Sequence, residues 1–166
     1  MSRGFVREGD QEEAPMIPPR AALPDNTPNY VTPEGFEALK TEKIELLEEL
    51  SNYDSSDERE KRRKAAEIDG KLNLLNERIN SARVLDAKNQ SKDEVRFGAT
   101  VTYTIDTVKT PVTLKIVGVD EANIREKKVA FIAPIAKAMI GKKEGEIALL
   151  SLGGENREVK IVKIIY

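Results

Sequence analysis

Ala65, Ile68, Leu72, Leu75, Ile79 and Ala82 recur at alternating spacings of three and four, the seam of a heptad helix that needs a partner to bury it. That partner stands just upstream. Phe36, Leu39, Leu46, Leu50 and Tyr53 share the spacing, with Lys43 as the odd member. Thr32 is suited to cap this first helix, with Pro33 at its first position and Glu34 in its first turn. The intervening Ser51-Asn52-Tyr53-Asp54-Ser55-Ser56 is rich in turn formers, and Ser55 with Glu58 has the spacing of a capping box for the second helix. Helices joined by so short a turn run antiparallel. At a rise of about 1.5 Å per residue, Pro33–Asn52 reaches about 30 Å and Asp57–Arg83 about 40 Å. Two helices enclose no all-round core, so residues 30–86 are predicted to form a protruding coiled-coil hairpin.

Both flanks of the hairpin have a different grammar. Five of the eight prolines fall before residue 29. The apolar residues there (Phe5, Val6, Met16, Ile17, Leu23) have no period, so residues 1–29 read as a disordered tail, with Phe5-Val6 as the centre of a short linear motif. Residues 87–94 read as a linker. From Val95 the period drops to two and β-branched residues dominate: Thr100–Ile105, Val112–Ile116, Val129–Ile132, Ile147–Leu150 and Val159–Ile165 are predicted strands. Gly153-Gly154 is a hairpin turn, and Pro134–Ile140 a short helix stopped by Gly141. The expected class is α+β, a helical hairpin followed by a small antiparallel sheet domain with one helix, residues 95–166.

Composition removes several kinds of chemistry. The 166 residues include neither cysteine nor histidine, which excludes disulfides, thiol catalysis, histidine-based triads and zinc sites with histidine or cysteine ligands. A metal would have to be a hard cation on carboxylates. No apolar run is long enough to span a membrane and no signal peptide is evident, so a cytoplasmic protein without membrane contact is expected. The net charge of −2 is small, yet residues 33–86 carry 10 cations against 14 anions and residues 87–166 carry 14 against 10. An acidic arm stands on a basic base.

Several ordered motifs then resemble the Gre family of bacterial transcript-cleavage factors. Thr32-Pro33-Glu34-Gly35-Phe36-Glu37-Ala38-Leu39 resembles the family's opening helix, and Ala82-Arg83-Val84-Leu85-Asp86 its hairpin exit. Phe97-Gly98-Ala99-Thr100-Val101-Thr102, Ile116-Val117-Gly118-Val119-Asp120-Glu121-Ala122 and Pro134-Ile135-Ala136-Lys137-Ala138-Met139-Ile140-Gly141-Lys142 follow in the family's order and spacing. The resemblance covers residues 30–166 and implies a non-enzymatic regulator of transcription elongation. Such a protein docks its C-terminal domain at the rim of RNA polymerase's secondary channel and inserts the hairpin. It meets nascent RNA or DNA only indirectly, within the complex. Polymerase contacts are implied at Ala133, Pro134, Ile135 and Asp120. Two acidic residues at the arm tip are implied to share a Mg²⁺ with the polymerase active centre, which cleaves backtracked RNA by two-metal chemistry; no tightly bound cofactor is implied.

The chain departs from the family at both places. The tip motif Gly-Asp-Leu-x-Glu-Asn-Ala-Glu-Tyr is absent, and the hairpin lacks about one heptad from each helix, roughly 10 Å of reach. The docking helix reads Ile132-Ala133-Pro134 in place of a polar-Ser-Pro sequence. Asp54 and Asp57 are the candidate tip pair. Helix chemistry explains Asp57 and Glu58 as well, since carboxylates stabilise a first turn by about 0.3–1 kcal/mol. Lys61-Arg62-Arg63-Lys64 is a candidate contact with nucleic acid or acidic channel walls, or a solvated face paired as Glu58–Arg62 and Glu60–Lys64. Two rival classes are a self-association module using the seam and an isomerase, since the family's C-terminal fold resembles FKBP-type prolyl isomerases. The first needs a second apolar stripe, for which Ile44, Leu47 and Leu74 offer only a part, so a monomer is expected. The second lacks a Trp to floor a proline pocket.

Overall fold

The computed structural model describes residues 13–166. Helix α1 (Pro33–Asn52) and helix α2 (Glu58–Ser81) form the expected hairpin. Their seam closes as the heptads require. Leu39, Leu46, Ile68 and Leu75 are buried between the helices, with Phe36, Leu50, Leu72, Ile79 and Ala82 packed around them. Ile68 and Leu75 are wholly buried, each contributing roughly 1.5–3 kcal/mol relative to exposure. Thr32 caps α1, its hydroxyl accepting from Gly35 N at 2.9 Å.

The second helix differs at both ends from the expectation. Its cap is Asp57, whose carboxylate accepts from Arg59 N at 2.9 Å. Ser55 sits two residues earlier, accepting from Asp57 N and donating to Glu60, so its hydroxyl organises the turn and not the helix. At the far end Ala82–Val84 leaves the helix as strand β2, because strand β1 (Asn29–Val31) offers it backbone partners. The two strands pair in parallel, Asn29 opposite Ala82 and Val31 opposite Val84, with the whole hairpin as their crossover connection. The buried Asn29 amide donates to Arg78 O at 3.0 Å, satisfying a last-turn carbonyl of α2.

Residues 95–166 form a five-stranded sheet ordered β5-β4-β3-β7-β6: β3 (Thr100–Ile105), β4 (Val112–Val117), β5 (Lys128–Ala130), β6 (Ile147–Leu152) and β7 (Glu155–Ile165). The sheet is mixed and not purely antiparallel, because β5 returns through the 118–127 crossover and pairs parallel with β4. Helix α3 (Pro134–Met139) buries Ala136 and Met139 against the sheet face that carries Val101, Tyr103, Ile116, Ala148, Leu150, Val159 and Ile161. Gly153 and Gly154 both have positive φ (57° and 84°), the requirement of a two-residue primed turn, and Leu152 pairs with Glu155 across it. Within the 87–94 linker, Ala87–Asn89 makes one 3-10 turn.

The arm is fastened to this domain by the chain that precedes α1, Tyr30 from the start of the expected hairpin and Arg20 from the stretch expected to be disordered. Tyr30 enters an aromatic trio with Phe97 and Phe131, the three centroid distances lying between 5.6 and 6.0 Å. Gly118 permits this approach, since a Cβ there would sit 2.6 Å from Tyr30 O. Residues 13–28 have no helix but lie across the arm, held by Arg20, so the disordered assignment does not apply to them. Charge explains the miss: a segment without apolar period can still be held by partly buried ion pairs. The Phe5-Val6 motif lies outside the described residues. Among the described residues no helix is long and apolar enough to cross a membrane.

Candidate functional site

Two surfaces carry the residues singled out in the sequence, the arm tip and the start of α3. At the tip the chain leaves α1 at Tyr53 and enters α2 at Asp57, which places Asp54 in the turn with its side chain 96% exposed. Asp54 and Asp57 have unlike environments. Asp57 spends a carboxylate oxygen on the Arg59 amide, whereas among the described residues Asp54 faces Lys61 Nζ at 4.0 Å. Lys61 also lies 3.8 Å from Glu58. Among the described residues no three acidic side chains gather in a metal-binding group. A capping carboxylate and a lysine-facing one do not fit a Mg²⁺ held by the arm itself, which would take near-octahedral oxygens.

Lys61 aside, which faces Asp54 and Glu58, the cations of the Lys61–Lys64 run divide between two surroundings. Lys64 crosses to α1, where it pairs with Glu49 and lies over the Tyr53 ring at 5.6 Å. Its hydrogen bond to Glu49 holds the ammonium above its ordinary pKa. Lys64 therefore pairs across the hairpin with Glu49 in place of the expected Glu60. Arg62 and Arg63 are exposed on the outer face of α2.

At the second surface, Pro134 opens α3 and is exposed, while Ala133 and Ile135 lean on the domain core. Ala133 is the cap position and makes no side-chain hydrogen bond, as an alanine must. The structure does not bring Asp120 to this edge. Its side chain is 7% exposed at the junction with the arm, 2.8 Å from Arg20 Nε and 3.6 Å from Arg78 Nη1. A carboxylate buried between two guanidiniums is a junction residue, so its expected surface contact is corrected.

Beside Asp120, Glu121 accepts from the Thr32 hydroxyl at 2.6 Å. The sequence reading missed Arg20, Tyr30, Arg78 and Glu121 as a junction set. One signal was available: Gly70 sits inside a helix, where glycine costs about 0.5–1 kcal/mol relative to alanine and so calls for a steric reason.

Comparison with known proteins decides the family. Residues 90–166 match the profile described as "Transcription elongation factor, GreA/GreB, C-term". Transcription elongation factor GreB of Neisseria meningitidis serogroup B is 31% identical over 156 residues, covering 84% of this chain and 95% of that one. GreA of Hyphomonas neptunium is 34% identical over 120 residues, covering 72% and 73%. The chain belongs to the GreA/GreB family. As a Gre-family factor it is a bacterial regulator of transcription elongation that binds RNA polymerase, and it is not an enzyme. Among solved structures, the GreA factor homolog Gfh1 of Thermus thermophilus is 21% identical, covering 82% of this chain and 98% of that one, with a TM-score of 0.39.

Proposed function

We propose that this Gre-family chain docks on RNA polymerase through its basic C-terminal domain, at the edge formed by Ala133, Pro134 and Ile135, and lays its short arm into the secondary channel without stimulating cleavage. One observation carries the reading: of the two tip carboxylates, Asp57 is committed to capping α2 and only Asp54 stands clear. A tip of this kind fills space and presents charge; it offers no preformed pair of acidic ligands. Arg62 and Arg63, on the outer face of the arm, meet the channel wall or the nucleic acid within it. The chain works as a cytoplasmic monomer, since its seam is consumed inside the hairpin.

A photo-crosslinker attached at Ser56→Cys tests the placement, because the chain has no other cysteine. It should react with polymerase residues inside the channel when the full chain is bound to the core enzyme. Crosslinks confined to the outer surface of polymerase would overturn the reading. A second reading, cleavage stimulation, is favoured by the bare Asp54 carboxylate alone, through which the tip could reach the polymerase's own catalytic metal. Under that reading Asp54→Asn abolishes an activity that the wild-type chain must first display.

A further inference from the structure

The segment before β1 crosses the junction between the arm and the C-terminal domain and touches three elements there. Arg20 uses its guanidinium on two sides at once. Nη1 and Nη2 donate to the two carboxylate oxygens of Glu42 on α1, at 2.7 and 3.0 Å, and Nε donates to Asp120 in the 118–127 crossover at 2.8 Å. Its side chain is 18% exposed and that of Asp120 only 7%. The hydrogen bonds to Glu42, then those to Asp120, raise the Arg20 pKa against the burial that lowers it. The fork is planar and rigid, so its three bonds fix the direction of Glu42 relative to Asp120. One residue on, Ala21 O accepts from the Arg78 guanidinium of α2.

An independent steric contact lies three residues before Arg20. Ile17 rests on Gly70 so closely that a Cβ there would stand 2.6 Å from Ile17 Cγ1. The glycine inside α2 therefore forms a socket for Ile17. Pro18 and Pro19 stiffen the two residues between socket and fork. If Arg20 is taken away, Glu42 and Asp120 face each other as like charges across the junction, and among the described residues Arg78, 3.6 Å from Asp120, remains to offset them.

We propose that residues 17–21 are a clasp that sets the angle between the helical arm and the C-terminal domain, with Arg20 as the positioning residue and Gly70 as the socket for Ile17. The clasp is supplied by chain outside both units, so the arm's direction is set separately from the folding of either. A rigid arm angle is what an inserted arm needs, yet the inference stands on contacts within this chain, and its test uses no polymerase.

Spin labels at Ser56→Cys on the arm tip and Glu155→Cys at the start of β7 report the angle by pulsed electron–electron double resonance, and no native cysteine interferes. The otherwise unaltered chain should give one narrow distance distribution. Arg20→Ala should broaden or shift it, with helix content by circular dichroism unchanged. Arg20→Lys, which keeps the charge but not the fork, should fall between the two. Gly70→Val should also broaden it by expelling Ile17, while altering no charge and removing a helix-interior glycine. A distribution for Arg20→Ala that superposes on that of the unaltered chain would overturn the clasp, as would a broad distribution before any change. A Gly70→Val distribution identical to that of the unaltered chain would overturn the socket.

Discussion

The hydroxyl of Thr32 lies 2.6 Å from the carboxylate of Glu121 and 2.9 Å from the amide of Gly35. It donates to the first and accepts from the second, so a single oxygen both starts the arm helix and ties it to the C-terminal domain. Thr32→Val keeps the shape and removes both bonds. The expected loss is about 1–2 kcal/mol for the cap, with a further cost for Glu121, whose side chain is 10% exposed. Thr32→Ser should recover most of it. Urea unfolding of the three proteins measures both values, and equal midpoints for Val and wild type would contradict the shared role.

Gly118 is required by the approach of β1 and not by its own backbone angle. Gly118→Ala places a methyl 2.6 Å from Tyr30 O, a backbone atom that cannot swing aside. The expected penalty is that of overpacking, about 1–3 kcal/mol, with the Tyr30–Phe97–Phe131 trio loosened. Near-ultraviolet circular dichroism should lose aromatic signal in the variant while the far-ultraviolet spectrum persists.

The tip carboxylates should separate in stability measurements. Asp57→Ala removes the α2 cap and should cost about 0.5–2 kcal/mol, whereas Asp57→Asn keeps an acceptor and should cost little. Asp54→Asn should leave thermal unfolding unchanged, because Asp54 is exposed and makes no bond to the backbone of either helix. Polymerase affinity should persist in all three. A large destabilisation by Asp54→Asn would show that the turn depends on that charge.

Alkaline pH should weaken the fold through Tyr103. Burial raises the Tyr103 pKa above its ordinary value of 10.0, so the folded chain keeps the proton when the unfolded chain has lost it. With fewer protons bound to the unfolded state, stability is fully present below about pH 10 and falls as pH rises from there through the raised folded value. Tyr103→Phe should flatten this part of the profile. Melting temperatures across pH 8 to 11 would show it, and an unchanged slope would assign the effect elsewhere.

The hairpin was legible because burial there is periodic: Leu39, Leu46, Ile68 and Leu75 are the four seam positions found buried between the helices. All five strands of the C-terminal sheet, the Gly153-Gly154 turn and α3 were legible for the same local reasons, with only β5 offset, at Lys128–Ala130 against the expected Val129–Ile132. What was not legible is held together by long-range partners. Arg20 and Asp120 stand 100 residues apart and Thr32 and Glu121 stand 89 apart, and neither pair leaves a local pattern. β1 and β2 are too short to show a period, at 3 residues each, and their parallel pairing depends on the whole hairpin between them. Asp120 was assigned to the wrong surface for this reason. Its motif carried the family resemblance, but only the fold shows that the side chain turns inward to Arg20 and Arg78.

Occupancy of the polymerase channel without cleavage, as proposed above, has a direct biochemical consequence. A stalled elongation complex of the source organism's core polymerase, supplied with a cleavage-stimulating GreA or GreB factor, tests it directly. The chain alone should leave RNA cleavage at the rate of polymerase by itself, and titrating it against the stimulating factor should return cleavage to that rate. Faster cleavage with the chain alone, or stimulated cleavage that persists at saturating chain, would rule out silent occupancy of the channel.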